Sequence, residues 1–88
     1  METYLTIVDV QFPDGTVRKN AHAFKVPTWH PVPLPGDMIQ ISEAAAKQEN
    51  IPAVLKVVSR RFIFDERIID RLRRDCQTCV ILMTQPPS

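Results

Sequence analysis

Glycine is nearly absent from this chain, with Gly15 and Gly36 as its only two residues of that type. A phosphate-cradling loop needs several glycines at fixed spacing so that backbone N–H groups can close on an anion. P-loop and Rossmann-type nucleotide sites are therefore excluded. Cysteine is equally sparse. Cys76 and Cys79 are too few to staple a small secreted domain, so reduced thiols in a reducing compartment are expected. A charge excess is also missing: 11 Lys and Arg against 10 Asp and Glu leave a formal charge of +1. Proteins that coat nucleic acid draw affinity from a large basic excess, so any such role here must rest on a local patch. No apolar run approaches the ~20 residues that span a bilayer, and no membrane contact is expected. Residues 1–9 carry Glu2 and alternate apolar with polar side chains, unlike the basic-then-apolar order of a secretory leader; a cytoplasmic setting is expected.

What is present is an ordinary globular mixture, 44% hydrophobic and 24% charged, which argues against whole-chain disorder. The 88 residues suffice for one domain, read as residues 1–85 with a frayed tail at 86–88. Residues 3–12 are rich in β-branched and aromatic side chains. Val8, Val10 and Phe12 share one face and Asp9 and Gln11 the other, the two-residue period of a half-buried strand. Pro13-Asp14-Gly15-Thr16 then supplies turn chemistry, and residues 16–26 return as a second strand, so a hairpin is predicted.

Residues 27–35 contain four prolines among Trp29, His30 and Leu34. They read as an extended crossing segment, with Trp29 and Leu34 tucked against the core. Gly36-Asp37 opens a third strand, Met38 to Ile41. Ser42 to Asn50 has the marks of a short helix: a serine cap, Glu43 in the first turn, an alanine run and an asparagine end, with Pro52 blocking continuation. Residues 53–64 give the longest strand signal. Simple alternation puts Leu55, Val57, Ser59 and Ile63 on one face and Val54, Val58, Phe62 and Phe64 on the other, with both phenylalanines facing the core. Residues 65–75 fit a short helix better than a long hairpin connection, and residues 76–84 read as the last strand.

Five strands with one or two short helices point to a mainly β fold. Neighbouring strands pair most cheaply when antiparallel and sequential. The expected form is a small five-stranded SH3-like or OB-like barrel, or a strongly curved antiparallel sheet. An open α+β sheet is the alternative.

The motifs are mostly bland. Cys76-Gln-Thr-Cys79 is half of a zinc site, and on a strand residues three apart point to opposite faces, so core packing is the better reading. A zinc ion shared across a dimer is the minor alternative. His22 and His30 have no acid or nucleophile at useful spacing. Asp65, Glu66, Asp70 and Asp75 are interleaved with arginines and read as a self-neutralised solvated face, not as metal ligands. The run from Pro31 to Pro35 reads as a stiff connection before it reads as a ligand for a proline-recognition domain.

No catalytic, cofactor or metal residue is assigned, and no small-molecule substrate is indicated. One asymmetry stands out: Lys56, Arg60, Arg61, Arg67, Arg71, Arg73 and Arg74 lie within one third of the chain, with Phe62 and Phe64 among them. These are the candidate contact residues. The sequence points to a non-catalytic module that meets a protein partner or a second copy of itself. The alternative is a nucleic-acid binder using the basic 56–74 region, since arginine beside exposed aromatics grips single strands.

Overall fold

The turn after the first strand folds as its residues require. Gly15 N–H donates to Phe12 O at 3.0 Å, Phe12 N–H donates to Thr16 O at 2.8 Å, and Gly15 takes φ +90°. This is a type I turn followed by a left-handed glycine, the three-residue hairpin loop. Asp14 braces it, its carboxylate accepting the Thr16 hydroxyl at 2.6 Å and the Thr16 N–H at 2.9 Å. These interactions come from a computed structural model, which describes residues 3–64 and 76–87.

Within that span lie β1 (Thr3–Gln11), β2 (Val17–Pro27), β3 (Met38–Gln40), α1 (Glu43–Glu49), β4 (Val54–Ile63) and β5 (Cys76–Gln85). The helix has the caps the sequence announces: Ser42 Oγ accepts the Ala45 N–H, and Asn50 is left-handed at φ 56°. The helix expected over 65–75 lies outside the described residues.

The strands form one curved sheet, a half-barrel in the order β2-β1-β5-β4-β3. The expected mainly β, strongly curved five-stranded fold is what the chain adopts, with one short helix among the described residues. One pairing departs from the all-antiparallel expectation: β1 and β5 run parallel, Leu5 beside Cys79 and Val8 beside Leu82. The physical reason is burial. β1 carries apolar side chains on both faces, with Tyr4, Val8 and Val10 on one and Leu5 and Ile7 on the other. Such a strand belongs in the middle of a sheet, and a parallel neighbour reached by a long crossover puts it there.

Asp9 shows the consequence. The half-buried reading of β1 puts it in solvent, yet it is only 8% exposed. Its carboxylate accepts the Asn20 N–H at 2.7 Å, and Thr84 Oγ1 donates to its carbonyl at 2.7 Å. Opposite Asp9, β2 bulges. His22 pairs with Val8 and Arg18 with Val10, so Lys19, Asn20 and Ala21 together face one residue. Asn20 takes φ 55°, a left-handed value that asparagine tolerates better than most residues, and Ala21 turns into the core.

The concave face is filled from two ends. At one, Ala46 of α1 and Ile51 beyond it pack on Val8, Val10, Ala21, Ile41 and Leu55. At the other, Val32 from the proline-rich segment packs on Tyr4, Val57, Val80 and Leu82. Tyr4 Oη lies 3.3 Å from His30 O and 3.4 Å from Pro31 O, as a donor to that segment, and burial raises its pKa above the ordinary phenol value. The segment crosses as expected, but its large side chains do not tuck in: Trp29 is 75% exposed and Leu34 52%. The smaller Val32 takes the interior position instead. Leu34-Pro35-Gly36-Asp37 closes as a tight turn, with Asp37 N–H on Leu34 O at 2.9 Å and Gly36 at φ +97°.

Candidate partner-binding edge

The turn that precedes β3 decides how much of β4 is covered. Gly36 N–H donates to Val57 O and Val57 N–H to Asp37 O, both at 2.8 Å. Next to them β3 pairs Met38 with Lys56, Ile39 with Leu55 and Gln40 with Val54. β4 is thus bonded to β3 and the turn before it over 54–57, with β5 on its other side from Lys56 onward, and Leu55 and Val57 are fully buried. There the cover ends. Over residues 59–63 β4 pairs with β5, Ser59 with Met83 through Ile63 with Cys79, and among the described residues no strand lies on its other side.

A bulge marks the boundary. The register with β5 shifts between Val57 and Ser59, so the strict alternation expected along 53–64 breaks at Val58. Directly paired residues share a face. Arg60 pairs with Leu82 and Phe62 with Val80, both on the concave face, whereas Ser59, Arg61 and Ile63 pair with Met83, Ile81 and Cys79 on the convex one. Phe62 therefore joins the face of Leu55 and Val57, opposite to the expected grouping. It is not core: Phe62 is 41% exposed and Phe64 71%. The two rings stack on each other, 6.3 Å between centroids and 12° between planes, and the Arg60 guanidinium lies 5.4 Å from the Phe62 centroid. A signal for this exposure was present. Consecutive arginines at 60 and 61 put one cation on each face, which leaves neither face of distal β4 able to enter a dry core.

The candidate cations divide accordingly. Lys56, Arg60 and Arg61 are all exposed. Lys56, opposite Gln85, and Arg61 belong to the convex face, and Arg60 to the concave one. Arg67, Arg71, Arg73 and Arg74 lie outside the described residues. The strand is one-signed: Lys56, Arg60 and Arg61 are the only charged residues from Ile51 through Phe64, and the two arginines are those on the open edge.

The remaining candidates lie elsewhere in the fold. Cys79 is buried against Leu5 with Ile7 and Ile63 around it, so this thiol sits in a core position. Cys76 stands opposite Thr3 at the start of the β5 ladder. His22 packs against the Phe24 ring at 5.6 Å, and His30 contacts the Trp29 ring at 5.9 Å. Arg18 pairs with Glu49 at 3.0 Å, tying β2 to α1 through two residues that sequence reading left unassigned. Among the described residues no group of three or more His, Cys, Asp or Glu side chains is placed to hold a metal ion. No helix among them is long and apolar enough to cross a membrane. Compared with protein-family models, with curated proteins and with solved structures, the chain matches none.

Proposed function

We propose that this chain is a non-catalytic binding module that meets a protein partner through the distal half of β4. One observation carries the reading: among the described residues, 59–63 form an open strand edge that also exposes a stacked phenylalanine pair. Open edges with exposed apolar side chains are a hazard that soluble proteins ordinarily blunt or cover. Here a partner would do the covering. The cysteine usage supports a reducing, cytoplasmic setting.

A nucleic-acid reading is favoured by one feature, the Arg60 guanidinium over Phe62 beside Phe64, a pairing suited to base stacking and phosphate contact. Against it, Arg61 and Lys56 belong to the other face and cannot track the same backbone. The test is an affinity capture from the native host, with and without nuclease, comparing the natural chain with a Phe62→Ser/Phe64→Ser variant. The proposal expects partners that survive nuclease and are lost in the variant, with far-UV circular dichroism unchanged. Partners that the variant retains in full would remove β4 as the contact surface. Partners that vanish with nuclease, or with modest added salt, would favour nucleic acid.

A further inference from the structure

The open edge has a polarity that describes its occupant. Residues 59–63 have backbone groups bonded to β5 on one side and, among the described residues, to no strand on the other. A row of free N–H and C=O groups is a template for one more strand. On each face that strand would meet one cation followed two residues later by one apolar side chain: Arg60 then Phe62 on the concave face, Arg61 then Ile63 on the convex face. Building on the β4 reading above, we propose that distal β4 takes an extended segment of a protein partner as an added strand. For antiparallel addition the segment has two apolar residues followed by two acidic ones. The apolar pair stands opposite Ile63 and Phe62, and the acidic pair opposite Arg61 and Arg60.

Charge selects this occupant. Arg60 and Arg61 are the only charged residues from Val57 through Phe64, so carboxylates set opposite them find two guanidinium partners. A second copy fits poorly. The antiparallel register that uses the whole free segment sets Ser59 against Ile63 and therefore Arg61 against Arg61, and like charges directly opposite are destabilising. A nucleic-acid strand would use the Phe62 and Phe64 rings and Arg60 but leave the backbone edge unpaired.

The test uses the full chain, isotope-labelled for amide NMR, and a capped peptide Thr-Val-Phe-Glu-Glu-Thr as probe. Two N-methylated versions block alternate peptide amides, because in a strand neighbouring N–H groups point to opposite edges. The proposal expects the parent peptide to shift and protect amides within 59–63 and to leave 54–57 unchanged. One methylated version should bind at least about tenfold more weakly and the other within about twofold, since only one set of amides faces β4. Replacing both glutamates by lysine should also weaken binding at least about tenfold.

Equal binding by both methylated versions would overturn strand addition while leaving β4 as a contact surface. Equal binding by the lysine peptide would overturn the acidic preference. No shift at millimolar peptide would overturn the proposal outright. So would an oligothymidine that shifts Phe62 and Phe64 where the peptide does not, or a dimeric free chain with 59–63 already protected. Failure of the β4 reading itself registers separately, in the partners kept by the Phe62→Ser/Phe64→Ser variant.

Discussion

The two halves of β4 belong to one strand, pair with one neighbour and have opposite fates. Over 54–57 the strand is lined by β3 and the turn before it, with β5 joining from Lys56, and its inward side chains, Leu55 and Val57, are sealed by α1 and the proline-rich segment. Past the bulge at Val58 the same concave face carries Arg60 and Phe62 into solvent. The difference lies less in hydrophobicity than in what is available to cover each half. β3 is three residues long and ends its pairing at Lys56, and Asp37 and Gly36 extend the bonding by one more residue. Beyond that reach Phe62 and Phe64 stay exposed, while Ile63 on the convex face packs partly against Leu5 and Cys79.

The largest expected effect separates the halves by stability. Leu55→Ala opens a cavity in the core and should cost about 2–5 kcal/mol in urea unfolding. Phe62→Ser, on the same face of the same strand, should cost clearly less, about 1–2 kcal/mol, because its ring is already 41% exposed. Comparable losses at both sites would erase the distinction. Next comes Asp9→Ala, which removes the carboxylate that holds the Asn20 N–H and the β2 bulge. It should cost about 1–3 kcal/mol. Ala21 shares a cluster with Leu55, so loosening should reach the covered half of β4, read as faster amide exchange at 54–57, and spare the open half.

Tyr4→Phe is a smaller perturbation. It removes the donor to His30 O and Pro31 O, both long contacts, and should cost roughly 0.5 kcal/mol. Its sharper readout is increased mobility of the segment over Val57, seen in amide relaxation.

The least effect on either half should come from the hairpin turn. The Thr16 hydroxyl, and then the Thr16 N–H, hold the Asp14 carboxyl below the ordinary carboxylate range. A lowered folded-state value means the contribution is complete above the ordinary pKa and is lost as pH falls through the lowered one. A carboxyl NMR titration should place the Asp14 midpoint low, and Thr16→Val should raise it without moving β4 resonances.

These contrasts also mark what could be read in the sequence. The Pro13-Asp14-Gly15-Thr16 turn and the caps Ser42 and Asn50 were legible because each is settled by residues within a few positions of one another. The five strands were legible for the same reason. What escaped depends on distant partners. Nothing near Thr3 announces that β5 will lie parallel beside it, and without that pairing Asp9 looks like a solvent-facing residue. The bulge at Val58 is a register event between β4 and β5, and it moves Phe62 to the face opposite its expected one. Which residue of the proline-rich segment turns inward is also settled at a distance: Val32, not Trp29, packs over Val57 and Tyr4. At the candidate site, the cations at Lys56, Arg60 and Arg61 were visible, but their separation onto two faces and the open backbone beside them were not.

Amide hydrogen exchange along β4 in the unliganded chain tests most directly that this strand changes, at Val58, from core to open edge. Leu55 and Val57 should exchange only with global unfolding, while about half the amides of 59–63, those turned away from β5, should exchange at rates near those of loops. Uniform strong protection from Leu55 through Ile63 would contradict it, because the edge would then already be paired.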